Sequence, residues 1–285
     1  MNGNVWVALA MTAFAGLSTG IGSAISLFTK KTNEKFLSVS LGFSAGVMIY
    51  VSMIEIFVKA QDSLSAALGH KQGAIATVVA FFAGMLLIGI IDKLIPEKDN
   101  PHEIQNTEEL ARACKLAQDC EIPQTQDSAQ PADEKNKLMR TGLFTALAIA
   151  IHNFPEGLAT FVSALQEPSL AIPIVVAIAI HNIPEGIAVS VPIYYATNDK
   201  KKAFLYSFAS GLSEPIGAII GYLILLPFMN DMVYGLLFAG VAGIMVFISL
   251  DELLPAAREY GEHHLSIYGL VAGMMVMAVS LLLFV

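Results

Sequence analysis

Charge is scarce in this sequence. Asp, Glu, Lys and Arg make up 14% of its 285 residues, where a soluble domain carries about 25%. With 55% hydrophobic residues and a mean hydropathy of +0.64, that shortage indicates a polytopic membrane protein. Cysteine is nearly absent: Cys114 and Cys120 are the only two, which excludes a disulfide framework and a Cys-x-x-Cys pair. No Lys or Arg precedes Lys30, so the basic start of a signal peptide is missing and the first apolar run reads as a span that stays attached. No HExxH and no nucleotide-binding or phosphorylation motif occurs, which argues against a metal-dependent hydrolase and against primary active transport. The net charge of −8 is too unevenly placed to argue for an anionic or cationic partner, and no nucleic-acid partner is expected.

Long apolar runs are what the sequence has instead. A helical span needs about 20 mostly apolar residues, and segments at roughly 4–28, 36–59, 73–95, 139–165, 169–196, 203–228, 231–256 and 264–285 meet that need. They are continuous rather than alternating over about ten residues, so a barrel is disfavoured. The expected fold class is all-α, with eight transmembrane helices. Residues 1–96 would hold the first three, 139–196 the fourth and fifth, and 197–285 the last three. Between them, residues 97–138 carry ten acidic and five basic residues with Pro101, Pro123 and Pro131. That stretch is too polar to form a core and is expected to be a largely disordered loop, with 107–118 as a short amphipathic helix.

Lysine and arginine set the orientation. Loops on one side hold 14 of them and loops on the other hold only Lys59 and Lys71. Both termini are therefore expected outside and the long acidic loop in the cytoplasm, where two free thiols also fit. An internal repeat accompanies this topology. "AGVMIYVSMIE" (45–55) and "AGIMVFISLDE" (242–252) share Ala-Gly, Met, Ser and Glu at fixed offsets, on helices expected to run in opposite directions. Inverted repeats are a pattern of secondary transporters.

A second duplication carries chemistry. "AIHNFPEGLA" (150–159) and "AIHNIPEGIA" (179–188) lie 29 residues apart, each inside an apolar run. Counted from the short turn between the fourth and fifth spans, both motifs sit roughly 20–25 Å of helix away, well inside the hydrocarbon. Glu214, in "SGLSEPIG" (210–217) of the sixth span, reaches a similar depth. The i,i+4 relation stacks His152 over Glu156 and His181 over Glu185, with Asn153 and Asn182 one step around. Pro155 and Pro184 release the carbonyls of Ile151 and Ile180, and Gly157 and Gly186 permit close helix approach. Carboxylate, imidazole and amide without thiolate suit Zn²⁺, Fe²⁺, Mn²⁺ or Cd²⁺. One or two such ions would offset the burial of Glu156, Glu185 and Glu214, and two ions bridged by Glu156 and Glu185 is the arrangement expected. A duplicated structural kink is the competing reading. It explains the prolines and glycines but not the histidines and glutamates.

With both His-Asn-x-Pro-Glu-Gly copies on the fourth and fifth of eight spans, the chain resembles the ZIP metal-ion transporters, in particular their bacterial ZupT- and GufA-like branch. The resemblance covers the whole chain, including the outward termini and the loop between the third and fourth spans. It implies a 3+2+3 arrangement, an inverted repeat of helices 1–3 and 6–8 around helices 4 and 5, and a homodimer in the bacterial inner membrane. It also implies a binuclear centre. The inner site would use His152, Asn153, Glu156, Asn182, Glu185 and Glu214. The outer site would use Glu156, His181 and Glu185 with Met48 or Glu55.

Several further side chains admit both a functional and a plainer role. Glu55 is an outer-site ligand or a snorkelling, hydrogen-bonded carboxylate, and Met48 a soft ligand or a core residue. Asp251 and Glu252 line an exit path or end a solvated helix. Ser213 is placed to orient Glu214. His263 and His264 are candidates for receiving exiting ions, and His102, Cys114 and Cys120 offer metal-binding groups in the acidic loop, at a spacing unlike a zinc finger. The expected function is transport of divalent transition metals, zinc first, into the cytoplasm by alternating access, with no catalytic cofactor. A metal exporter and an intramembrane metal-dependent hydrolase are the alternatives.

Overall fold

The computed structural model describes residues 4–28, 34–94, 132–166, 168–225, 228, 230–259 and 263–282. Among them there is no strand. Helix α1 spans Val5–Phe28, capped by the Asn4 side chain accepting from Trp6 N at 2.9 Å. Helix α2 (Glu34–Val51) passes through a π-helical turn, Ser52–Ile56, into α3 (Phe57–Leu68). After Gly69, whose φ of 84° suits only a glycine, α4 runs His70–Leu94. The longest helices follow, α5 (Ala132–Gln166) and α6 (Pro168–Thr197). Asp199 caps α7 (Lys200–Gly211), which leads into α8 (Ser213–Leu225). Helix α9 (Asp231–Ile248) continues through a second π-helical turn, Ser249–Leu253, into α10 (Leu254–Glu259), and α11 spans His263–Leu282.

Among the described residues, seven helical stretches are long and apolar enough to cross a membrane. Helix α5 is not one of them. Its first turns carry Asp133, Glu134, Lys135, Lys137 and Arg140, and its centre carries the first polar motif. The molecule is apolar outside and encloses a polar cluster within an otherwise apolar interior. Helix α4 exposes Ile75, Val79, Phe82, Leu86 and Ile90 along one stripe, while Ser, Thr, His, Asn and Glu side chains lie buried at the centre. A contiguous exposed apolar stripe of this kind marks a surface that meets lipid or a partner.

Three boundaries differ from those expected. The second span extends to Leu68 instead of 59, because polar Gln61, Asp62 and Ser63 form the half-exposed face of α3 rather than a loop. Helix α5 begins at Ala132 instead of 139. The sixth span is broken at Leu212, since Pro215 cannot donate a hydrogen bond back to Gly211. Residues 95–131 lie outside the described ones, and with them the expected disorder of the loop, the amphipathic helix at 107–118, and His102, Cys114 and Cys120.

Glycines set the helix spacing. A Cβ on Gly46 would overlap the carbonyl of Leu270, and one on Gly273 that of Phe43, so α2 and α11 touch backbone to backbone. Helices α9 and α4 do the same: Gly243 meets the Phe81 carbonyl and Gly84 that of Gly240. At the centre, Gly157 of α5 lies on the Glu214 carbonyl of α8, and Gly186 of α6 on the Thr19 carbonyl of α1. Small residues allow this proximity, and dispersion between backbones rewards it in lipid.

Candidate metal centre

Helix α5 carries His152, Asn153 and Glu156, α6 carries His181, Asn182 and Glu185, and the first turn of α8 carries Glu214. Both Pro155 and Pro184 lie inside unbroken helices, so the motifs do not end their spans. The pairing is crosswise rather than along each helix. His152 Nε2 lies 3.3 Å from Glu185 Oε2, and His181 Nε2 lies 3.2 Å from Glu156 Oε1. Only the first of these is aligned as a hydrogen bond. The second is close but leaves both atoms without a hydrogen-bond partner. The duplicated motifs thus meet face to face.

Neighbouring helices close the site. Asn182 Nδ2 donates to Glu214 Oε1 and, at 3.0 Å, to the Ala15 carbonyl of α1. Ser44 of α2 donates to the His181 carbonyl at 3.2 Å and approaches Glu185 Oε1 at 3.4 Å. Ser207 of α7 donates to the Gly186 carbonyl at 3.0 Å, and Thr160 to the Glu156 carbonyl at 2.8 Å. Sequence reasoning missed Ser44. The available signal was its place one turn before Met48 on the same face of the helix. Ser44→Ala removes one donor from Glu185 and leaves the carboxylate in place. Binding of a divalent metal ion at this site should weaken several-fold with a normal amount of inserted protein, measured by titrating the purified protein with the metal.

All seven side chains are buried, none more than 1% exposed. Many of their polar atoms have no hydrogen-bond partner: both atoms of the Asn153 amide, both Glu156 oxygens, Nδ1 of both histidines, Asn182 Oδ1 and Glu214 Oε2. An unsatisfied buried polar group costs about 1–3 kcal/mol. A dication accepting these lone pairs would offset several at once. Among the described residues, no three His, Cys, Asp or Glu groups are already arranged around a point that could hold an ion. The imidazoles point at the carboxylates, so binding requires these pairs to open.

The remaining candidates lie elsewhere or act differently. Met48 is completely buried in the apolar core. Glu55 sits in the first π-helical turn and pairs with Lys59 at 2.6 Å, partly exposed. It follows Ser44 by eleven residues, about 16 Å along the helix. Asp251 and Glu252 lie half-buried in the second π-helical turn. The Ser213 hydroxyl donates to the Ser210 carbonyl at 2.6 Å, which ties it to the last turn of α7 rather than to Glu214. His264 is exposed at the start of α11.

Comparison with known proteins identifies the family. The zinc transporter ZupT of Clostridium perfringens (strain 13 / Type A) is 65% identical over 99% of this chain and 97% of its own length. The ZupT zinc transporter of Streptococcus mutans serotype c is 64% identical with both chains fully covered, and that of Oceanobacillus iheyensis is 60% identical over 98% of each. The family described as ZIP Zinc transporter matches residues 6–281. A polytopic helical chain with paired imidazoles and carboxylates at its centre, matched over nearly its whole length, belongs to the ZIP zinc transporter family.

Proposed function

We propose that this protein is a zinc transporter of the plasma membrane that moves divalent transition metals into the cytoplasm, with Fe²⁺, Mn²⁺ and Cd²⁺ as further cargo. One observation carries the reading: the crosswise His152–Glu185 and His181–Glu156 contacts beside the buried Glu214. They gather five ionisable ligands on three helices where only a cation would satisfy their lone pairs together. Two ions would share Glu156 and Glu185. Asn153, Asn182 and Glu214 would complete an inner site, and Met48 or Glu55 would complete an outer one.

With α5 as the eighth span, the helices fall into a 3+2+3 arrangement. Three features support an inverted repeat. The two π-helical turns begin at Ser52 and Ser249, the same position of the repeated segment. The Gly46–Leu270 and Gly273–Phe43 contacts recur as Gly243–Phe81 and Gly84–Gly240. Their residues keep constant offsets: 43 and 46 correspond to 240 and 243, 81 and 84 to 270 and 273. Alternating access would shift a bundle of α1, α5, α6, α7 and α8 against a scaffold of α2, α3, α4, α9, α10 and α11. The backbone contacts at glycine described above all fall within one group or the other, which favours two rigid bodies. The Ser44 contacts to α6 cross between the groups and would break as they move. Lys35, Lys93, Arg140, Lys200 to Lys202 and Arg258 would face the cytoplasm, with both termini outside. Family resemblance extends the reading to a homodimer surrounded by lipid.

The test is uptake of radioactive zinc by proteoliposomes. Saturable uptake without chemical product is expected, and inserted protein that takes up no more than empty vesicles would contradict the proposal. A deletion strain that becomes metal-sensitive rather than metal-starved would reverse the direction to export. Removing an imidazole from the outer site should change preference more than rate. His181→Ala is therefore expected to shift the competition among zinc, iron and manganese, and an unchanged competition profile would count against its role.

A further inference from the structure

The central helices meet through contacts that occur in pairs. Gly157 lies on the Glu214 carbonyl as Gly186 lies on that of Thr19. Gly217 lies on the Phe154 carbonyl as Gly22 lies on that of Ile183. A Cβ at Gly16 would sit 3.2 Å from Glu214 Cβ, and one at Gly211 would sit 2.9 Å from Thr19 Cβ. In the first two pairs α5 exchanges with α6, and in all three α1 exchanges with α7–α8. Residues 16, 19 and 22 correspond to 211, 214 and 217, and 154 and 157 to 183 and 186. Thr19 therefore occupies on α1 the place that Glu214 occupies on α8.

Two observations say that this place is polar for a reason. Thr12, Thr77, Thr160 and Thr197 each donate to the carbonyl four residues back, at 2.7–3.0 Å. This is the usual use of a helical threonine hydroxyl. Thr19 does not do so. The carbonyl it would use, that of Ala15, accepts instead from Asn182 Nδ2 and from the Ser18 hydroxyl. Thr19 Oγ1 is completely buried with no partner. Glu214 accepts a hydrogen bond from Asn182, and the counterpart of Asn182 is Asn153. Both polar atoms of Asn153 are likewise buried without a partner.

We propose that the Thr19 hydroxyl and the Asn153 amide form a second polar cradle of the transport site, opposite Glu214 and Asn182, that takes a hydrated divalent cation through neutral oxygen donors. It rests on the transport-site reading above. A hydroxyl and an amide carbonyl can replace or hold the water of an ion without adding charge, while Glu214 supplies charge on the other side. The duplicated centre is thus unequal at one position. An ion bridging it meets a carboxylate toward α8 and a neutral oxygen toward α1.

Uptake kinetics on Thr19 variants in proteoliposomes test this. Thr19→Val keeps the shape and loses the hydroxyl, so the KM for zinc should rise several-fold with Vmax little changed. Thr19→Ser, which keeps the hydroxyl, should restore it. Thr19→Cys puts a soft sulfur at the same point and should shift the cadmium-to-zinc preference several-fold toward cadmium. A Thr19→Val protein with the wild-type KM would overturn the proposal, as would a loss confined to Vmax that Thr19→Ser does not recover. Should Thr19→Val fail to insert, an unchanged cadmium-to-zinc ratio in Thr19→Cys overturns it instead. Glu156→Ala is measured alongside. Wild-type uptake there would sink the transport site itself, whereas lost uptake there with unaffected Thr19 variants would sink only the role of Thr19.

Discussion

Zinc uptake should fall to the level of empty vesicles when Glu156 or Glu185 is replaced by alanine, with the protein still inserted in the membrane. Each carboxylate faces an imidazole of the other motif, Glu156 that of His181 and Glu185 that of His152. Each is buried, so its charge is not screened by water and no exposed group can replace it. Removing one takes away the carboxylate that its histidine faces and a bridging ligand from both proposed ions. Folding should tolerate the change better than transport does. The imidazole loses one contact, while the backbone contacts of Gly157 and Gly186 are untouched. Glu185→Gln separates charge from shape: it retains an oxygen toward Ser44 and should be as inactive as the alanine variant. Uptake at the wild-type rate in any of these proteins would contradict the role assigned to the pair.

The second large effect is on assembly. Gly157→Val and Gly186→Val each push side-chain atoms into a backbone carbonyl, that of Glu214 or of Thr19. A carbonyl held in a helix cannot move aside as a flexible side chain can. Overpacking of this kind costs about 1–3 kcal/mol and sometimes more, here at the crossing that holds α5 and α6 against α8 and α1. Both variants should melt at clearly lower temperature in detergent and elute as aggregated protein. Gly240→Ala provides the contrast, because the nearest atom to its added Cβ is 3.9 Å away. It should keep the fold and gain slightly from the better helix propensity of alanine. A Gly157→Val protein that melts like the wild type would show that the crossing is looser than described.

Seven of the spans were legible because length and apolar content alone define them, and the gathering of polar side chains at the centre was legible because His, Asn and Glu in lipid need partners. The crosswise pairing was not. Spacing within one motif places His152 near Glu156, but the rotation of α5 against α6 decides which carboxylate each imidazole meets. That rotation is set by contacts such as Gly157 on Glu214 and Gly186 on Thr19, which join residues far apart in the chain. Ser44 escaped notice for a related reason, since a single serine in an apolar run looks like any other small residue until α6 is laid against it. The π-helical turns at Ser52–Ile56 and Ser249–Leu253 have no local signal of their own. Only the repeat containing Glu55 and Glu252 singled out the two segments. The break at Leu212 had one in Pro215, which the apolar run around it outweighed.

Anomalous scattering at the zinc edge, from crystals grown with saturating zinc, tests the central claim most directly. The account predicts peaks among Glu156, Glu185, His152 and His181, with one toward Glu214, and their loss in Glu185→Ala. Crystals that hold zinc only on the surface, with no anomalous density between α5, α6 and α8, would contradict it.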